Sequence, residues 1–350
     1  MVTLIKNGTL VTASETYKAD LWIEDSRIAQ ISDPRLRDRL AAPGGDVRQV
    51  DAAGCYVFPG GIDAHTHLDM PFGGTTSSDD FTTGTRAAAH GGTTTIIDFA
   101  IQQRGSTLQQ ALDTWHQKAA SKACIDYGFH MIATDAPHSV LDEMGSLVRE
   151  GVTSFKLFMA YPGVMMADDA AIFQMLRQVG ADGGMVALHA ENGTVIDLLI
   201  KEALEAGHTS PRYHAMTRPA IMEGEATHRG IRLAELANAP IYFVHVSSNQ
   251  ALKHIVAARD EGIPVFAETC PHYLLFDDSA YDNDDFETAK VVMTPPLRTP
   301  DDQKHLWRAL RYDDLQVIAT DHCPFCMKEG HLGYRLQKQR GKDDFSLIPN

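Results

Sequence analysis

Met185-Val-Ala-Leu-His189 is a run of four apolar residues that ends on an imidazole, and the same grammar recurs in Ile241-Tyr-Phe-Val-His-Val246 and Leu315-Gln-Val-Ile-Ala-Thr-Asp321. A short apolar run without polar alternation reads as a strand buried on both faces, as in a parallel sheet covered by helices. Working outward, five further runs share that texture: Phe58-Pro-Gly-Gly-Ile-Asp-Ala64, Thr93-Thr-Thr-Ile-Ile-Asp-Phe99, Tyr127-Gly-Phe-His-Met-Ile132, Ser154-Phe-Lys-Leu-Phe-Met159 and Val265-Phe-Ala-Glu-Thr269. Helical periodicity fills the gaps at 108–120, 168–179, 195–206, 227–237 and 251–260. Eight strands alternating with helices predict an α/β fold, specifically a (β/α)8 TIM-like barrel. An open doubly wound sheet would want a GxGxxG turn after its first strand, which is absent.

The first sixty residues have a different texture. Thr3-Leu-Ile-Lys, then Asn7-Gly8, then Thr9-Leu-Val-Thr12 predicts a tight hairpin, because Asn-Gly suits a type I′ turn. Leu21-Trp-Ile-Glu24, a turn at Asp25-Ser26, and Arg27-Ile-Ala-Gln-Ile31 predict a second, with a loop over 33–48 and a strand running into Val57. Residues 1–57 are therefore expected to form a portion of a small β-sandwich and 58–350 the hydrolase barrel. Only about thirty residues follow the eighth strand, polar and short of apolar periodicity, so the last covering helix is expected to be missing. The chain is expected to stop short of a full-length protein, and the sandwich to lack its C-terminal part.

A net charge of −15 with no basic cluster excludes the nucleic-acid classes, and no window of about 18 uninterrupted apolar residues exists for a membrane span. The partner expected is a small molecule and the compartment the cytoplasm. Five scattered cysteines, at 55, 124, 270, 323 and 326, do not make a disulfide framework, and Cys323-Pro-Phe-Cys326 is read as two ordinary thiols.

His65-Thr-His67 follows the first strand, where a period of two points both rings one way. His189, His245 and Asp321 lie at or near the carboxyl ends of later strands, the face on which barrel active sites are built. Any one of these histidines alone would be a satisfied core residue. Three strands that end alike are hard to assign to packing. Four imidazoles and a carboxylate exceed the three protein ligands of one catalytic zinc, so they point to two ions sharing a bridge. Lys156, inside an apolar strand, is too costly as a lone ammonium, and an ammonium is no ligand. As a carbamate it would be a bridging anion; the ordinary alternative is a lysine paired with an acid. His116, His130, His138, His254 and His305 are read as structural, and His272 and His322 as neighbours of the ligands.

The stretches Gly61-Ile-Asp-Ala-His-Thr-His-Leu-Asp-Met-Pro-Phe72, Asp79-Asp-Phe-Thr-Thr-Gly-Thr-Arg86, Lys156-Leu-Phe-Met-Ala-Tyr-Pro-Gly163 and Glu223-Gly-Glu-Ala226 resemble the hydantoinase/dihydropyrimidinase family of cyclic amidohydrolases over essentially the whole chain. The resemblance implies zinc-dependent opening of hydantoins or 5,6-dihydropyrimidines to N-carbamoyl amino acids. It implies two zinc ions bridged by carboxylated Lys156 and a hydroxide, one held with His65, His67 and Asp321, the other with His189 and His245. It further implies a proton shuttle at Asp321, an oxyanion donor at Tyr161, substrate held by backbone groups at Thr294 and Asn350, and a homotetramer. Met70, Phe72, Phe158 and Met165 are candidates for the wall facing the ring substituent. Position 69 is Asp where dihydroorotases usually carry arginine, which argues against an acidic ring. Allantoinase and a non-catalytic scaffold of the same fold are the alternatives.

Overall fold

Period two decides which way each barrel side chain turns. Along Ser154–Phe158, Phe155 and Leu157 join the large apolar core that holds Leu147, Ile172, Met175 and Leu176 of the flanking helices. Phe158, one step out of phase, belongs to a separate cluster with Met70, Phe99, Ile132 and Met165. Lys156 shares that second direction. In the computed structural model, which describes residues 2–39, 46–72, 75–134, 138–282 and 286–326, the chain divides between Gly61 and Ile62 into two compact units.

In the larger unit, strands Gly61–Thr66, Thr93–Ile101, Asp126–Ile132, Ser154–Phe158, Met185–His189, Ile241–Phe243, Val265–Thr269 and Val317–Ile318 lie side by side in chain order as a nearly closed parallel barrel. The first and last strands are drawn together by a parallel bridge between Thr66 and His322, with the His67 N–H donating to the His322 carbonyl at 2.9 Å. Asp63 adds to this by accepting from the Thr320 N–H at 3.0 Å.

The five helices expected from periodicity are present as Leu108–Ala119, Asp169–Asp182, Gly193–Glu205, Ala220–Ala237 and Asn249–Asp260. Their ends follow local chemistry. Asp168 and Ser248 cap N-termini with their side chains, and Gly183 and Asn238 close C-termini in the left-handed conformation. Three longer helices escape the periodicity: Phe81–His90, His138–Glu150 and Pro300–Arg311. Phe81–His90 carries Gly84 and three threonines, all poor helix formers. A capping box at Asp80 supports it, and Gly84 is required because a Cβ there would stand 2.3 Å from Leu68 Cδ2.

The smaller unit is a five-stranded sheet in the order Arg27–Ser32, Thr16–Glu24, Val2–Val11, Val47–Asp51, with Tyr56–Val57 also paired to Val2–Val11. The hairpin expected at Asn7-Gly8 does not form. Val2–Val11 runs straight through it, with Asn7 at φ +63° and the register shifted between Ile5 and Gly8. Asn-Gly here serves a bulge: the Asn7 N–H donates to Asp20 Oδ1 at 2.9 Å, and the reversal falls at Thr12–Glu15 instead. The Asp25-Ser26 turn forms as expected, both residues having positive φ. Residues 34–39 are a 3-10 turn where a loop was expected.

All five cysteines are free thiols. Among the described residues no helix is long and apolar enough to cross a membrane. The expectations for 327–350, Asn350 included, lie outside the described residues.

Candidate metal centre

His65 sits inside the end of the first barrel strand and His67 just beyond it; His189 ends the fifth, His245 follows the sixth by two residues, and Asp321 follows the eighth. Lys156 projects from the fourth between them. All except Asp321 are almost wholly inaccessible, and the Asp321 side chain keeps 21 % of its surface exposed. His65 Nε2, His67 Nε2 and Asp321 Oδ1 form a triangle with edges of 3.1, 3.1 and 3.0 Å. Ligand atoms about 2.0–2.1 Å from a tetrahedral zinc stand about 3.3 Å apart, so this triangle has nearly the dimensions of one face of such a site. His189 Nδ1 and His245 Nε2 approach to 3.0 Å as a second pair, and Lys156 Nζ reaches His65 Nε2 at 2.9 Å.

For His65 and His189, hydrogen bonding on the far side of the ring decides which nitrogen faces inward. His65 Nδ1 donates to Glu268, leaving the Nε2 lone pair for the centre. His189 Nε2 donates to Glu191 at 2.9 Å, leaving Nδ1. Ring nitrogens presenting lone pairs to a carboxylate, as at His65 and His189, repel one another unless a cation lies between them. The donor set fits divalent metal.

Electrostatics agree with that donor set. Burial, then the neighbouring Lys156 charge, holds His67 down to about 3. Burial, then His189, holds His245 well below the ordinary imidazole range. Burial also lowers Lys156. For Asp321 burial acts upward, but the His65 and His67 rings outweigh it and hold the carboxyl well below its usual range. His65 goes the other way: burial and Lys156 favour its neutral form, yet Asp321 and Glu268 raise it. Neutral imidazoles at His67 and His245 and an ionised carboxylate at Asp321 are the forms in which these groups bind metal.

The pair opens into a cavity of about 500 Å³ lined by His67, Lys156, His189, His245 and Asp321 together with Tyr161 and Thr294. Tyr161, at φ +65°, hydrogen-bonds the Thr294 side chain, and burial followed by Glu191 raises its hydroxyl, so it stays protonated. His214 Nε2 holds Thr294 Oγ1 at 3.0 Å. Met70, Phe72 and Phe158 line the same cavity, whereas Met165 packs behind them and does not. His245 and Asp321 also have positive φ, at +41° and +51°. Left-handed backbone at non-glycine residues concentrates at functional sites.

The neighbours of the rings escaped the sequence reading. Glu268 carried a signal equal to that of Lys156, a charged residue inside the apolar run Val265–Thr269. Asp98 did too, in Thr93–Ile101. It accepts from Thr66 Oγ1 and the Leu68 N–H, both at 2.8 Å, and from Trp115 Nε1 at 2.9 Å, clasping the turn that carries His65 and His67. Of the two histidines expected beside the ligands, His272 lines the cavity and His322 binds Asp79 at 2.8 Å.

Comparison with known proteins gives a consistent picture. The sequence pattern of the amidohydrolase family matches residues 56–346. The D-hydantoinase of Streptomyces coelicolor is 51% identical over 99% of this chain and 73% of its own length. That of Geobacillus stearothermophilus is 51% identical over 100% of this chain and 72% of its own. The crystal structure of the dihydropyrimidinase from Brevibacillus agri superposes with a TM-score of 0.93 at 49% identity, covering 100% of this chain and 73% of that one.

Proposed function

Because the chain belongs to the amidohydrolase family, among its hydantoinase and dihydropyrimidinase members, we propose that it hydrolyses the cyclic amide bond of hydantoins or 5,6-dihydropyrimidines to N-carbamoyl amino acids. The observation that carries the reading is the convergence of ring nitrogens and one carboxylate at the carboxyl ends of the barrel strands, at the base of a cavity. Two zinc ions are the proposed occupants, one with His65, His67 and Asp321, the other with His189 and His245.

Lys156 is proposed to bridge them as a carbamate. The ammonium first gives up one proton; the free amine then adds carbon dioxide through a new N–C bond and releases a second, so that a buried cation becomes an anion. Two ions held by these residues would supply a water of lowered pKa and polarise a ring carbonyl. The remaining tasks fall to the chain. Asp321 Oδ1 takes the proton released in the attack and delivers it to the departing ring nitrogen. The Tyr161 hydroxyl donates to the oxygen on which charge develops. Backbone groups at Thr294, and at Asn350 as the family pattern implies, hold the ring. Met70, Phe72 and Phe158 exclude water from the side of the ring substituent. A homotetramer and a cytoplasmic setting go with this reading.

The test is zinc content together with ring opening of hydantoin, dihydrouracil and allantoin. Two ions per chain with turnover of hydantoin or dihydrouracil is the expected result. A metal-free, inactive protein would refute it, and a preference for allantoin would reassign the substrate.

A further inference from the structure

Each proposed metal position contains one histidine whose outward nitrogen is backed by a buried carboxylate, but the two carboxylates differ in reach. Glu191 Oε2 accepts from His189 Nε2, and its Oε1 has no hydrogen-bond partner among the described residues. Glu191 therefore touches one half of the centre. Glu268 touches both. Its Oε1 accepts the His65 Nδ1 proton and also the backbone N–H of His245 at 3.1 Å, while Oε2 is occupied by the Tyr242 hydroxyl at 2.8 Å.

The second of these bonds falls at a demanding place. His245 is held at φ +41°, a conformation sparsely populated by non-glycine residues. Its backbone sets where Nε2 arrives beside His189 Nδ1. One oxygen thus fixes the tautomer of a ligand at the first position and the main-chain geometry of a ligand at the second. Tyr242, by tying down the other oxygen, keeps Glu268 from turning toward one at the expense of the other.

We propose that Glu268 is a positioning residue that couples the two metal positions, so that weakening its acceptor oxygen loosens both ions, whereas Glu191 supports only the ion at His189 and His245. The inference rests on the two-metal reading above.

The test is competition of zinc-loaded protein against a chelator, with ions per chain counted by native mass spectrometry for the wild type, Glu268→Gln and Glu191→Gln. In Glu268→Gln the side chain keeps the shape of glutamate, but its neutral oxygen is a weaker acceptor for both N–H groups. Affinity is expected to fall about 10–100-fold at both positions in Glu268→Gln and at one position in Glu191→Gln. A Glu268→Gln protein that loses one ion and keeps the other at wild-type affinity overturns the coupling. If that variant does not fold, the wild type decides: chelation should pass from two ions to none with little singly loaded chain, and a dominant one-ion species at the midpoint overturns the inference. A wild type that never holds two ions refutes the two-metal reading itself, a result distinct from either.

Discussion

Replacing Lys156 by methionine separates a ligand from a packing residue, because it removes the amine and keeps a side chain of similar length and apolar character. Lys156 is 2 % exposed; its amine lies 2.9 Å from His65 Nε2, 4.4 Å from the Phe99 ring centroid and 5.1 Å from that of Phe158. That setting gives an unmodified lysine little reason to exist. Exchanging a poorly compensated buried polar group for a well-packed apolar one is neutral to stabilising, and a near-isosteric core swap costs less than about 1.5 kcal/mol. Melting of the metal-free protein should therefore move by no more than about 5 °C in either direction. Function should respond on a different scale. Loss of the bridging anion removes metal-based charge stabilisation worth several kcal/mol, and at 1.36 kcal/mol per decade about 4 kcal/mol is a thousandfold in rate. The assay measures three quantities on one preparation: ions per chain, ring-opening rate, and intact mass under native conditions, where the wild type should be heavier by one carbon dioxide. A Lys156→Met protein that keeps both ions and turns over within about twofold of the wild type would refute the assignment.

Tyr161→Phe should lower kcat by about a hundredfold to a thousandfold, the usual loss of an oxyanion donor, with unchanged metal content by elemental analysis. Asp98→Asn puts an amide N–H₂ opposite one of the donors that now meet the carboxylate, and should cost about 1–3 kcal/mol in denaturant unfolding. Burial raises Asp98 from 3.8 to about 6, so the folded state binds this proton more tightly than the unfolded chain. The resulting stability is fully present below pH 3.8 and lost as pH rises through about 6, a change of about 3 kcal/mol. The difference between wild type and Asp98→Asn should therefore shrink across that window, and a pH-independent difference would contradict the assignment. Gly193→Ala would place a Cβ 2.7 Å from Ala160 Cα and 2.8 Å from the Met159 carbonyl, both backbone. It should destabilise by about 1–3 kcal/mol and, by displacing the residues just before Tyr161, reduce turnover more than metal binding.

The barrel was legible in the chain because each strand buried on both faces must be apolar along its whole length, and that requirement is written in consecutive residues such as Met185–His189. The six candidate ligands were legible for the same reason: a histidine, lysine or aspartate in or at the end of such a run violates the pattern and stands out. Helix Phe81–His90 was not, since Gly84 and its threonines are chosen for close approach to Leu68 and for capping, which are tertiary demands. Asn7-Gly8 misled for a related reason. The dipeptide specifies positive φ, and only the partner strand decides whether positive φ makes a turn or a bulge. Sequence alone thus determined the fold class and singled out the candidate ligands, because both follow from which residue types a buried strand tolerates. Tertiary structure decided which ring nitrogen faces inward and which carboxylate holds it there. Glu268 lies 203 positions from His65 and 23 from His245, and no local pattern records that one of its oxygens serves both.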